Sequence, residues 1–117
     1  MKTIIYHITS RAEWQAAQKE GLYTSPSLAV EGFIHCSTQK QVITVAESYY
    51  KGKTDLLLLC KNQDLIKAQV RYDDSHNNGE LFPHIYGPLT LNSVVKVVNL
   101  PPRPDGLFDW PKDALTE

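Results

Sequence analysis

Three of the four histidines lie in apolar, strand-like segments beside hydroxyl, thiol or carboxylate residues. These segments are Tyr6-His7-Ile8-Thr9, Phe33-Ile34-His35-Cys36-Ser37 and Glu80-Leu81-Phe82-Pro83-His84-Ile85-Tyr86. A polar ring among core-forming residues is costly unless it is hydrogen-bonded, bound to a ligand or placed at a pocket wall. The three segments therefore predict a polar cleft for a small molecule, assembled from distant parts of the chain.

Within each segment, an imidazole and a hydroxyl are two residues apart and so share one face of a strand. The pairs are His7 with Thr9, His35 with Ser37, and His84 with Tyr86. Such pairs can contact a ribose or an amide, and Tyr86 can stack on a flat ring. Ser37 precedes a predicted helix, whose first amides could receive an anionic group. The alternatives are core histidines bonded to nearby carbonyls, a serine that only caps the helix, and a core tyrosine.

Glu80 follows a polar loop over residues 73–79 and precedes a predicted strand. A carboxylate in this position could stabilise an oxocarbenium-like centre or orient a hydroxyl, as carboxylates do in glycosidic cleavage. The alternative is a solvated glutamate. Cys36 is expected to point to the core, opposite His35, and not to act as a nucleophile, because no base is locally oriented towards it.

Metal binding is a competing hypothesis. His7, His35, His76 and His84 could supply imidazole ligands, and they would then support a metal-assisted hydrolase. The chain has no His-x-His or His-x-x-x-His spacing and no Cys-x-x-Cys pair. We therefore assign no metal ligand.

Size and composition predict an ordinary globular protein. A chain of 117 residues fits a single domain. The net charge of −1 provides no basic field for nucleic acid. Two cysteines in apolar runs, no signal peptide and no membrane-length apolar run favour the cytoplasm. The oligomeric state is left open.

Periodicity predicts an α+β fold with about six strands and two helices. The strands are expected over residues 2–7, 32–36, 55–61, 68–72, 84–86 and 94–100. A capping box at Ser10 and Glu13 begins the first helix, which ends at Gly21, and Ser37 or Thr38 caps the second. Residues 22–27 should be extended with a turn at Pro26. A proline-rich tail follows from about residue 101, held onto the body by Leu107, Phe108 and Trp110.

The composite of these motifs resembles a small bacterial domain family of unknown function. The resemblance rests on Tyr6-His7-Ile8-Thr9, Gly32-Phe33-Ile34-His35-Cys36-Ser37 and Gly79-Glu80-Leu81-Phe82-Pro83-His84-Ile85-Tyr86-Gly87. That family in turn resembles the ADP-ribosyltransferase fold, a split, strongly bent β structure around an NAD-binding cleft. The resemblance implies NAD or a related nucleotide as ligand and substrate.

The resemblance also implies residue roles. His7 and Thr9 match the strand-one motif that holds the adenosine ribose and the nicotinamide amide, although Ile8 replaces its glycine. Ser37 would shape the nicotinamide pocket, and Tyr49 or Tyr50 would supply a stacking ring. Glu80 is the nearest counterpart of the glutamate that assists ribosyl transfer.

The resulting hypothesis is an ADP-ribosyltransferase-like domain that cleaves or transfers at the nicotinamide–ribose bond. Its catalytic candidates are Glu80, His35 and His84, and its nucleotide-binding candidates are His7, Thr9, Ser37 and Tyr86. The first alternative is a non-catalytic nucleotide- or metabolite-binding module, and the second is a histidine-dependent metal hydrolase.

Overall fold

A computed structural model describes residues 3–116 of the chain, and its architecture is α+β. Three helices span Arg11–Glu20 (α1), Pro26–Glu31 (α2) and Val42–Tyr49 (α3), and two 3-10 turns span Gln63–Leu65 and Leu91–Ser93. The strands of the described part are Ile4–Ser10 (β1), Leu22–Tyr23 (β2), Ile34–His35 (β3), Leu56–Asn62 (β4), Gln69–Asp73 (β5), Phe82–Tyr86 (β6), Leu89–Thr90 (β7) and Val94–Asn99 (β8).

The strands form two three-stranded antiparallel sheets and one short ribbon. The first sheet has the order β1-β4-β8, the second β3-β6-β5, and β2 pairs with β7. An antiparallel bridge joins the two larger sheets: the Tyr6 amide donates to the Ser37 carbonyl at 2.8 Å, and the Ser37 amide donates to the Tyr6 carbonyl at 2.7 Å. This bridge brings the end of β3 against the middle of β1.

Strands β1 and β4 of the first sheet are buried on both faces, whereas most of the edge strand β8 is exposed. Ile4, Tyr6 and Ile8 of β1 pack in one apolar cluster with α3, whereas Ile5 packs in a second cluster on the opposite face. Residues 56–59, all leucine, lie in β4, the central strand. The prediction of a buried central strand from this run is confirmed, because a strand covered on both faces needs apolar side chains on each.

The tail after β8 packs onto the first sheet. Phe108 is buried, and the Trp110 ring meets the Tyr6 ring edge-on at 5.4 Å between centroids. The Tyr6 hydroxyl donates to the Leu115 carbonyl at 2.7 Å. The aromatic residues therefore hold the tail as the sequence predicts.

The described residues form three helices and eight strands, where two helices and about six strands were expected, and several element boundaries differ from the prediction. Residues around Pro26 form α2 instead of an extended piece, because proline is compatible with a first helical turn and Gly32, at φ +89°, ends the helix. The following strand is reduced to Ile34–His35. β1 continues to Ser10, three residues beyond its predicted end, while its predicted start at Lys2 lies outside the described residues.

The third helix begins later than predicted. Thr38 forms a turn, with the Gln41 amide donating to its carbonyl at 3.0 Å, and the helix starts at Val42. The Gln41 side chain does accept from the Thr38 amide at 3.0 Å, as a capping box requires. Ser37 is instead part of the bridge to β1. Within residues 3–116, no helix is long and apolar enough to cross a membrane.

Candidate functional site

A cleft of about 730 Å³ opens beside β1, at its junction with the end of β3. Its lining includes four of the residues predicted from the sequence, together with hydroxyl, carboxylate and aromatic side chains from other elements. The predicted members are His7, Thr9, His35 and Ser37. A volume of this size is typical of small-molecule sites. β1 and the segment after β3 therefore bring the first two predicted pairs to one place.

A larger groove of about 930 Å³ lies elsewhere, between α1, β8 and the proline-rich tail. It is lined by Arg11, Trp14, Lys96 and Trp110, among others, and by none of the predicted site residues. We take the smaller cleft as the candidate site because polar groups of several distant segments converge in it.

Buried hydrogen bonds organise the floor of the cleft around His7. Its Nδ1 lies 2.5 Å from the His35 carbonyl oxygen, and its Nε2 lies 2.7 Å from the Tyr23 hydroxyl. The Tyr23 hydroxyl is also 2.9 Å from Thr9 Oγ1. His7, Thr9 and Tyr23 are all buried. Both nitrogens of the imidazole therefore have partners.

These partners fix the tautomer of His7. A carbonyl can only accept, so Nδ1 carries the proton and Nε2 accepts from the Tyr23 hydroxyl. Burial, reinforced by the nearby Lys61, lowers the pKa of His7 to about 3, and burial raises the pKa of Tyr23. The imidazole is therefore neutral near neutral pH, and its role is to hold the Tyr23 hydroxyl in place.

Glu13 places a carboxylate beside this network, and sequence reasoning missed it. Thr9 Oγ1 lies 3.3 Å from Glu13 Oε2, and the Tyr23 hydroxyl lies 3.5 Å from the same oxygen. Glu13 also lines the cleft. Its amide donates to Ser10 Oγ at 3.1 Å, so half of the predicted capping box is present. In the sequence, a helix cap explained Glu13 completely. Its second role, as a carboxylate in the cleft, is visible only once the fold brings Tyr23 next to it.

His35 and Ser37 lie at a second part of the cleft wall. His35 Nε2 is 2.8 Å from Glu31 Oε2, and the two side chains are 46% and 47% exposed. The helix start expected at Ser37 was wrong, because the helix begins only at Val42 and the Ser37 amide is used in the bridge to Tyr6. Any contribution of Ser37 to binding must come from its side chain.

Aromatic residues form another part of the wall. Tyr49, Tyr50, His76 and Phe82 all line the cleft. The Tyr49 and His76 rings are nearly parallel, with centroids 6.5 Å apart, and His76 meets Phe82 edge-on at 5.6 Å. Lys53 Nζ lies 5.6 Å from the centre of the Tyr50 ring. Flat rings and one cation therefore accompany the polar floor.

The predicted pair of His84 and Tyr86 forms a separate cluster, which is not part of the cleft lining. Both side chains bond to Asp73 Oδ2, His84 through Nδ1 at 2.9 Å. The His84 ring stacks on Phe33 with 4.0 Å between centroids and is 5.3 Å from the His35 ring. Its Nε2 is buried and has no hydrogen-bond partner among residues 3–116. Burial lowers the pKa of His84, against the opposing effect of Asp73.

Glu80 is exposed and does not line the cleft. Gln41 Nε2 donates to its carboxylate at 3.2 Å and to the Leu81 carbonyl at 2.8 Å. Asp74 closes the preceding loop by accepting from the amides of Asn78 and Gly79 at 2.9 and 2.8 Å. The structure thus places Glu80 outside the group formed by His7, Thr9, His35 and Ser37.

The histidines do not converge on a common metal position. Among residues 3–116, no group of three or more histidine, cysteine, aspartate or glutamate side chains is arranged to hold a metal ion. Cys36 lines the cleft and is buried. Lys61 Nζ lies 2.9 Å from its sulfur. The fold therefore places a basic group beside this thiol, although the local sequence orients no base towards it.

Comparison with known proteins identifies a family and similar solved structures. The model of a family described as a protein of unknown function (DUF952) matches residues 8–97. No curated protein matches the chain.

Solved structures of CC0527 from Caulobacter crescentus are similar over most of their length. One crystal structure has 33% sequence identity and a TM-score of 0.84, covering 92% of this chain and 94% of that one. A solution NMR structure of the same protein has 33% identity and a TM-score of 0.78, covering 89% and 90%. The agreement in sequence and fold shows that the chain belongs to the DUF952 family of proteins of unknown function.

Proposed function

We propose that the cleft binds NAD or a related nucleotide, on a fold of the ADP-ribosyltransferase type. The observation that carries the proposal is the combination of hydroxyl groups at Thr9, Ser25 and Ser37 with flat rings at Tyr49 and Tyr50, all of which line the cleft. A nucleotide presents ribose hydroxyls and planar bases, which these two surfaces complement. The split between the sheets, joined at Tyr6 and Ser37, supports the fold part of the proposal.

The charges of the cleft also suit NAD. The nicotinamide ring carries a positive charge and the pyrophosphate is negative, whereas the lining offers the carboxylates of Glu13 and Glu31 and the cation of Lys53. Thr9 can turn its hydroxyl to a ribose, while His7 keeps the Tyr23 hydroxyl in position. The nicotinamide end is therefore assigned to the Glu13 side of the floor.

If the domain is catalytic, the reaction is cleavage of the nicotinamide–ribose bond. The bonding electrons leave with nicotinamide, and water or another acceptor forms the new bond at the ribose carbon while its proton passes to solvent. A carboxylate stabilises the positive charge that develops on the ribose. Glu13, which lies next to Thr9 in the cleft, is the best placed for this role. Glu80, His35 and His84 remain candidates that variants can test.

A non-catalytic nucleotide-binding module is the second candidate. It is favoured by the hydrogen bonds of His7, because both ring nitrogens are occupied and the imidazole is not free to accept a proton from an attacking group. This alternative predicts the same contacts with NAD but no release of nicotinamide. The proposed setting of either activity is the cytoplasm, where free buried cysteines such as Cys36 and Cys60 are common.

An amide-resolved NMR titration with NAD tests binding. We expect chemical-shift changes that cluster at Thr9, Ser37, Tyr49 and Tyr50, with ADP-ribose and nicotinamide each reproducing a part of the pattern. A matched pair of variants, Glu13→Gln in the cleft and Glu80→Gln outside it, locates the site. The absence of shifts at millimolar NAD would exclude the proposal.

Release of nicotinamide, followed by chromatography, separates the two candidates. Turnover that falls in Glu13→Gln and persists in Glu80→Gln supports catalysis with Glu13 in the assigned role. The reverse result returns the role to Glu80. Binding without release by the wild-type protein identifies the non-catalytic module.

A further inference from the structure

A thiol and an amine meet behind the floor of the cleft. Lys61 Nζ donates to Cys36 Sγ at 2.9 Å, and both side chains are buried, at 0% and 4% exposure. Lys61 lies on the central strand β4 and Cys36 follows β3. The tertiary fold therefore creates a direct contact between two nucleophilic groups from different segments.

This environment favours the uncharged form of both groups. Removing an ammonium group from water is costly unless an opposite charge accompanies it, and among the described residues no carboxylate forms an ion pair with Lys61. Burial lowers the pKa of Lys61 and raises the pKa of Cys36. A neutral amine has a lone pair available for bond formation, which an ordinary surface lysine lacks near neutral pH.

A small oxidant can reach the sulfur from the cleft. Cys36 is among the lining residues, whereas Lys61 is fully buried behind it. Oxidation should therefore begin at sulfur: the neutral Lys61 amine takes the thiol proton as the sulfur attacks peroxide, and the first product is a sulfenic acid. The oxygen of that group would then lie between Cys36 and the amine of Lys61.

We propose that Cys36 and Lys61 form an oxidative modification site, in which one oxygen atom covalently joins Sγ to Nζ. Hydrogen peroxide first converts the thiol to a sulfenic acid and releases one water. A second peroxide then oxidises the pair: an O–H and an N–H bond break, the O–N bond forms, and two waters are released. Each peroxide accepts two electrons. Two equivalents of a dithiol reverse the reaction to thiol, amine and water.

The bridge would join the end of β3 to β4 covalently. Cys36 is flanked by His35, whose carbonyl holds His7, and by Ser37, which bridges to β1. The modification would therefore restrain the segment that supports the floor of the cleft. The modification requires no ligand, so its test is independent of the test of nucleotide binding.

Mass spectrometry of the whole chain after graded peroxide treatment tests this site. We expect a reversible species that has gained one oxygen and lost two hydrogens. After denaturation it should show one free thiol instead of two, and trypsin should no longer cleave after Lys61. The linked peptides should contain residues 36 and 61, and dithiothreitol should restore both thiols and cleavage.

Variants provide the matched controls. Cys60→Ser removes the other buried cysteine, which lies against the backbone of Leu115, and should retain the bridge. Cys36→Ser and Lys61→Met should abolish it, and Lys96→Met should not. The linked peptide from the wild-type protein identifies the bridge directly, so the test does not depend on whether each variant folds. Overoxidation of Cys36 with Lys61 unmodified, or no linked peptide at any peroxide dose, would overturn the proposal.

Discussion

Two histidine-centred networks lie close together, and they differ in how their polar atoms are satisfied. At the cleft floor, His7 has a partner for each ring nitrogen, the His35 carbonyl and the Tyr23 hydroxyl. In the second cluster, His84 bonds to Asp73 through one nitrogen, and its buried Nε2 has no partner in the described part of the chain. The first network lines a cleft and the second is packed against Phe33.

The difference shows that burial of a histidine does not by itself identify a site. Both rings are almost inaccessible, and burial lowers the pKa of both. What distinguishes His7 is that it lines an open cleft together with the hydroxyl-bearing Thr9. His84 contacts an aspartate and an aromatic ring. Such contacts are typical of a side chain that stabilises the packing of the second sheet.

The largest expected effect is the pH dependence that His7 gives to folding. Its pKa is lowered from 6.5 to about 3 in the folded protein, mainly by burial. Between these values the unfolded chain binds one more proton, so the unfolding free energy should fall by about 1.4 kcal/mol for each unit that pH falls. Above pH 6.5 both states are neutral, and His7 contributes no slope.

Denaturant unfolding between about pH 7 and pH 5 measures this slope, in a range where most carboxylates stay ionised. In the His7→Gln variant, the slope of the unfolding free energy against pH should be smaller by the contribution of one proton. Because the pKa of His84 is also lowered, the His84→Phe variant separates its contribution. Equal slopes in wild type and His7→Gln would show that folding does not lower the pKa of His7.

The next largest effect is expected for Tyr23→Phe. Removing the hydroxyl leaves His7 Nε2 buried without its donor, which should cost about 1–3 kcal/mol of unfolding free energy. Tyr49→Phe is the matched control, since Tyr49 is 59% exposed and its change should stay within about 0.5 kcal/mol. Similar losses for both variants would refute the network's structural role.

A smaller effect is expected for His84→Phe, despite the burial of this ring. The phenyl ring can keep the stacking on Phe33, and the substitution removes the unpaired Nε2. Asp73 remains bonded to Tyr86 and partly exposed. We expect a change within about 1 kcal/mol in chemical denaturation. A loss comparable to that of Tyr23→Phe would mean that His84 makes an essential polar contact.

The smallest effect is expected at the exposed pair of Glu31 and His35. Their 2.8 Å contact joins two half-exposed side chains, and such pairs contribute about 0.5 kcal/mol or less. Glu31→Gln should therefore leave the unfolding midpoint nearly unchanged while keeping the shape of the cleft. A large shift would indicate that this pair belongs to the supporting network.

Local patterns predicted much of the fold. The four leucines of β4, the cap at Ser10 and the left-handed Gly21 each follow from short-range geometry, and the structure has them as expected. The segment at Pro26 was misassigned because proline suits both a turn and a first helical turn, and only packing distinguishes the two.

The sequence by itself determined which residues are apolar, which share a strand face and where several helices end, because these properties depend on periodicities of a few residues. Only the tertiary structure decided which polar groups meet. It placed Tyr23 against His7 and Glu13, and Lys61 against Cys36. These contacts depend on how the two sheets and the β2–β7 ribbon pack together. That packing joins distant segments, so no local spacing in the sequence predicts it.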